Sequence, residues 1–126
     1  MSQEPASLQG IDTILLRVSN LDVSLAFYTR ALRLSVLFQD NTQRLAVLDT
    51  GSPVSLTLWE TKTPLRPDPE TASFPIFSIR DAARSRSLLR EAGVQVGELV
   101  IEKAVSYFTF LDPDGNLLEA CQVQPS

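Results

Sequence analysis

The 126-residue chain contains no histidine, a single cysteine, a single tryptophan, a single methionine and only five glycines. The missing histidine excludes the most chemistry. Imidazole is the usual general base near neutral pH and the commonest side-chain ligand for zinc, iron and nickel, so Ser-His-Asp, Cys-His and His-based metal sites all fall away. A carboxylate-only site for magnesium or manganese survives that test. Cys121 has no partner for an intrachain disulfide, so nothing points to an oxidising compartment. No apolar run reaches the roughly 20 residues that span a bilayer. Residues 1–10, with Glu4 and Pro5, lack the apolar stretch of a signal peptide. A cytoplasmic protein with no membrane partner is expected. Positive charge is also short: 11 Lys and Arg against 15 Asp and Glu leave a net charge of −4, which argues against a nucleic-acid partner.

What the chain does have is a repeated pattern within one domain spanning 1–126. Residues 13–18 read as a strand, β-branched and apolar. Asn20 then offers an N-cap, with Asp22 near the positive helix end, and Val23, Ala26, Phe27 and Ala31 recur at helical spacing. Three short strands follow at 34–38, 44–48 and 54–59, separated by turn formers at 40–43 and 49–53. Residues 61–73 hold Pro64, Pro67 and Pro69 among charges and read as an extended connector. The order then recurs: a strand at 74–79, Asp81 as N-cap, a helical stripe of Ala82, Ser85, Leu89 and Ala92, and Gly93 as a left-handed C′ residue. Strands at 94–100, 104–111 and 117–122 complete it. Two βαβββ modules are predicted, at 11–60 and 74–122. A single module cannot cover both faces of its sheet, so an α+β fold is expected in which the modules form a curved mixed sheet around a cleft.

The second module ends in Phe108-Thr109-Phe110-Leu111-Asp112-Pro113-Asp114-Gly115-Asn116-Leu117-Leu118-Glu119-Ala120, a strand, a tight turn and a strand. Proline, Asx residues and glycine supply the turn. Glu119 is the only carboxylate within the last strand.

Val18 to Tyr28, Ala92-Gly93-Val94 and Phe110 to Glu119, in this order on a duplicated module, resemble the vicinal oxygen chelate superfamily, which includes glyoxalase I, extradiol dioxygenases and the fosfomycin- and bleomycin-resistance proteins. The resemblance covers about residues 11–122. Arg33 departs from it, standing where the family usually has glycine after the first helix. Enzymes of the family hold a divalent metal with residues from four strands, and the matching positions here are Thr13, Phe74, Ser55 and Glu119. Only Glu119 keeps a ligand type. Hydroxyls are weak neutral donors and a phenyl ring is none, so no metal and no other cofactor is expected.

The remaining candidates each have two readings. By strand alternation Arg17 shares a face with Thr13 and Leu15, and Thr57 and Trp59 share one with Ser55. Arg17 could clamp an anion or pair with Glu119. Trp59 could stack on a flat ligand or fill space at the module junction. Glu119 could meet a ligand cation or bond to Thr13 or Ser55. Cys121 lines the same face as Glu119 and, with no histidine near, reads as an inert apolar residue. Tyr28 reads as packing. The leading reading is a metal-free small-molecule binding protein of the glyoxalase/bleomycin-resistance type, sequestering a flat or cationic compound. The alternatives are a metal-dependent or carboxylate-based lyase, isomerase or dioxygenase, and a non-catalytic protein whose cleft is filled by its own side chains. The resemblance also implies a homodimer.

Overall fold

A computed structural model describes residues 4–124, of which residues 4–10 form no helix or strand and are exposed. The expected α+β duplication is present. The first module runs β1 (Thr13–Val18), α1 (Leu21–Ala26), β2 (Ser35–Asp40), β3 (Leu45–Asp49) and β4 (Ser55–Glu60). The second runs β5 (Ile76–Ser78), α2 (Ala82–Glu91), β6 (Val100–Ile101), β7 (Val105–Leu111) and β8 (Leu117–Val123). Each module builds its own four-stranded mixed sheet, in the orders β1-β4-β3-β2 and β5-β8-β7-β6. In both, the first strand is parallel to the last and the others are antiparallel.

The local signals for helix ends are realised. Asn20 accepts from the Val23 N–H at 3.2 Å and Asp81 from the Arg84 N–H at 3.0 Å, satisfying N-terminal donors that the helices leave open. Gly93 takes the left-handed conformation that ends α2. Arg33 is also left-handed, at φ 63°, so the departure from glycine carries a strain of roughly 1 kcal/mol. The Leu21 N–H donates to Glu60 at 2.8 Å, and Arg44 reaches both Glu60 and Asp22, tying the start of α1 to the end of β4. The Leu21 N–H, followed by Arg44, holds the Glu60 carboxyl below its ordinary pKa.

Three expectations are corrected. Val23 is not on the buried stripe: it is 52% exposed, and Leu21, Ser24 and Tyr28 face the core instead. The helix does not continue as α through Leu32 but widens into a π turn at Phe27–Ala31, where the Thr29 hydroxyl bonds back to the Leu25 carbonyl and competes with the helical ladder. The strand expected at 94–100 is interrupted. The Gly97 N–H bonds the Thr109 carbonyl, but its own carbonyl is drawn to Arg86 Nε at 2.7 Å, and a Cβ at Gly97 would lie 2.7 Å from Thr109 Oγ1. Only Val100–Ile101 continues as a strand.

The modules share one core, in which Val18, Leu21, Tyr28, Leu48, Leu56 and Leu58 of the first join Phe108, Phe110, Leu118 and Ala120 of the second. Polar clamping accompanies it at the β7–β8 turn. Asp112 is buried, and its carboxylate accepts from the Tyr28 hydroxyl at 2.8 Å, Asn116 Nδ2 at 2.9 Å, and the Asp114 and Asn116 N–H groups at 2.9 and 2.8 Å. Asn116 Nδ2 also donates to the Arg17 carbonyl, and the Ser19 N–H donates to Asp114. Tyr28 is thus more than packing. Its burial, and then the Asp112 charge, push the phenol pKa up, so the hydroxyl stays a donor. Tyr28→Phe leaves the ring in place and removes this bond; it is expected to cost about 1.5–3 kcal/mol in urea unfolding. A loss below about 0.5 kcal/mol, the scale of an ordinary surface change, would show that the bond does not hold the modules.

Candidate functional site

Strand alternation puts every second residue of β1 and β4 on the sheet face away from α1. Thr13 lies opposite Ser55, Leu15 opposite Thr57 and Arg17 opposite Trp59, so Thr13, Arg17, Ser55, Thr57 and Trp59 share one open face of the first sheet. Val47 and Phe38 extend it on β3 and β2, the latter reached across a β-bulge. On the second sheet Glu119 lies between Ile76 and Thr109, and Cys121 between Ser78 and Tyr107. Phe74 lies just before β5, outside any strand, and is partly buried. The candidates therefore fall into two groups, one on each sheet. Among the described residues no hydrogen bond, ion pair or ring contact joins Glu119 or Cys121 to the group on the first sheet.

Several of the alternatives left open by the sequence are decided by bonding partners. The Thr13 and Thr57 hydroxyls bond each other at 2.8 Å. The Ser55 hydroxyl reaches the Asp12 carbonyl at 3.4 Å. Arg17 does not pair with Glu119; its guanidinium donates to the Trp59 and Glu60 carbonyls at 3.1 and 3.3 Å and lies 5.1 Å from the centre of the Trp59 ring. Trp59 is itself anchored by its indole N–H to the Gln43 carbonyl. The result is a cation–aromatic platform with one face of the indole covered by Arg17. Glu119 bonds neither Thr13 nor Ser55, and its side chain makes no hydrogen bond to a described residue. Partial burial pushes its pKa up, since an unpaired carboxylate loses hydration.

Two sizeable cavities, of about 310 and 450 Å³, open at the module junction among the described residues; of these candidates only Ser55 borders one, the larger. The sheet faces are open. Leu15, Phe38, Ile76 and Val123 stand on them 43%, 57%, 57% and 71% exposed. Phe38 escaped the sequence reading because alternation within one strand does not reveal which strands neighbour each other.

The four positions that match family metal ligands do not suit a transition metal. Thr13 spends its hydroxyl on Thr57, Ser55 supplies a neutral oxygen, Phe74 has no donor, and Glu119 stands alone as an anion. Among the described residues no three His, Cys, Asp or Glu side chains cluster closely enough to hold a metal ion. Among the described residues no helix is long and apolar enough to cross a membrane.

No match is found among curated proteins. Solved structures do match. A glyoxalase/dioxygenase from Nostoc punctiforme is 21% identical with a TM-score of 0.78, covering 99% of this chain and 98% of that one. A glyoxylase/bleomycin resistance protein/dioxygenase domain from Frankia sp. EAN1pec is 23% identical with a TM-score of 0.75, covering 94% and 100%. TnmS3, an antibiotic binding protein from Streptomyces sp. CB03234, is 20% identical with a TM-score of 0.76, covering 95% and 100%. At these identities the likeness speaks for the fold alone. Residues 10–120 match the family model of the Glyoxalase/Bleomycin resistance protein/Dioxygenase superfamily, and the chain belongs to that superfamily.

Proposed function

We propose that this protein binds a flat or cationic small molecule without a metal, on a surface that a second copy of the chain completes. The observation that carries the reading is Glu119: a partly desolvated carboxylate on an open sheet face with no hydrogen-bond partner among the described residues. A partly desolvated charge of this kind is stabilised by an opposite charge, and a ligand cation supplies one. The Arg17–Trp59 platform on the other sheet adds a flat surface for stacking. The likeness to an antibiotic binding protein is consistent with sequestration. The donor set at Thr13, Ser55, Phe74 and Glu119 speaks against the metal-dependent alternative.

The second copy is argued from the apolar residues standing exposed on both faces, since contiguous open patches of Leu, Ile, Val and Phe are unfavourable in water. In a dimer each chain lays its first sheet against the partner's second, which brings the Arg17–Trp59 platform of one chain to Glu119 in the other. Sedimentation equilibrium is expected to return twice the 13.9 kDa chain mass. A monomer at high micromolar concentration would sink this part of the reading.

Glu119→Gln tests the ligand claim. Desolvation raises the folded-state pKa, so the charged form disfavours folding; the acid's contribution is best below its ordinary pKa and is lost as pH rises through the raised value. The glutamine variant should therefore melt higher than wild type at pH 7, with the gain vanishing below about pH 4. Proflavine, a flat cation, should raise the melting point of the wild type and bind the variant about tenfold more weakly. Equal affinity for both would show that Glu119 does not meet the ligand.

A further inference from the structure

The two cavities at the module junction differ in chemistry from the sheet faces, which the larger one reaches at Ser55 and Ile76. The smaller, about 310 Å³, lies between the end of the first helix and α2, against the core side of the second sheet; Leu32, Leu89, Phe110 and Phe77 supply its walls. The larger, about 450 Å³, lies between β1, the loop before β4 and the start of β5. Thr50, Phe77 and Ser78 border both. Phe77 is the largest side chain common to the two adjoining spaces. Both volumes fall within the roughly 300–1,000 Å³ of small-molecule sites.

No charged side chain lines either space. A charged ligand entering there would lose hydration and find no counter-charge, whereas an apolar one would gain by leaving water. The hydroxyls at the walls divide into two kinds. Thr50 is committed to the Val54 carbonyl and Ser52, and Ser55 to the Asp12 carbonyl. Ser78 and Ser85, both bordering the smaller space, make no side-chain hydrogen bond to a described residue and remain free to meet a polar atom of a guest. An engineered cavity of about 150 Å³ holds benzene. The smaller space here is about twice that, enough for a two-ring molecule.

We propose that the module junction is a second binding site, specific for an uncharged, largely apolar molecule of about two fused rings carrying one hydrogen-bonding group. Phe77 gates its extension into the larger space, and the site takes its ligand without Glu119, which lines neither space.

The test compares two probes that share an anilinonaphthalene skeleton: neutral N-phenyl-1-naphthylamine and its anionic sulfonate, 8-anilinonaphthalene-1-sulfonate. The neutral probe, its naphthalene in the smaller space and its phenyl ring passing Phe77 into the larger, is expected to brighten saturably with one site per chain, and the anion to bind at least about tenfold more weakly. Ser85→Phe fills the smaller space and should weaken the neutral probe about tenfold. Leu88→Trp, at the half-exposed rim, does the same from outside and serves if Ser85→Phe does not fold. Unsaturable brightening, equal binding of the anion, or unchanged affinity in whichever of these variants keeps a cooperative melt would overturn the proposal. So would a probe signal abolished by Trp59→Ala but untouched by Leu88→Trp, which would put the probe on the sheet face.

Discussion

One buried carboxylate fixes how the two halves of this protein meet. Asp112 collects four donors, two from the backbone of its own turn, one from Asn116 and one from Tyr28, separated from it by 84 positions in sequence. A buried carboxylate left short of donors is expensive, so the turn can close only when Tyr28 is in place, and the first helix can seat Tyr28 only against that turn. Asn116 passes the same constraint to β1 through the Arg17 carbonyl. The strand that carries Arg17 and the turn that leads into β8 and Glu119 are therefore set by one polar cluster.

That constraint explains why the fold can persist while the site changes. The clamp lies at the turn and the helix, whereas Thr13, Ser55 and Glu119 stand on sheet faces that do not participate in it. Side chains there can be replaced without loosening the module contact. The donor set left on those faces, two committed hydroxyls and one lone carboxylate, fits recognition of a ligand better than coordination of a metal.

Local chemistry made much of this legible in the sequence. Asn20, Asp81, Gly93 and the turn at Asp112 to Asn116 act through bonds to residues within four positions, and each appears as expected. β1 was legible to the residue because its β-branched, apolar run is flanked by turn formers. What escaped depends on distant partners. Val23 has helical spacing but faces solvent, because the rotation of α1 is set by Tyr28 reaching Asp112. The break at Gly97 depends on Arg86, a helix away. The candidate faces were identified by parity, while their exposure and the Arg17–Trp59 stacking required knowing that β1 and β4 are neighbours.

The claim that recognition here proceeds without a metal is tested most directly by elemental analysis of protein purified without chelator, followed by melting with added zinc, nickel, manganese or iron. The account predicts no stoichiometric metal and no rise in melting point on addition. A bound metal at one per chain, lost in Glu119→Ala, would contradict it and make Glu119 a ligand in a site that this donor set was not expected to support.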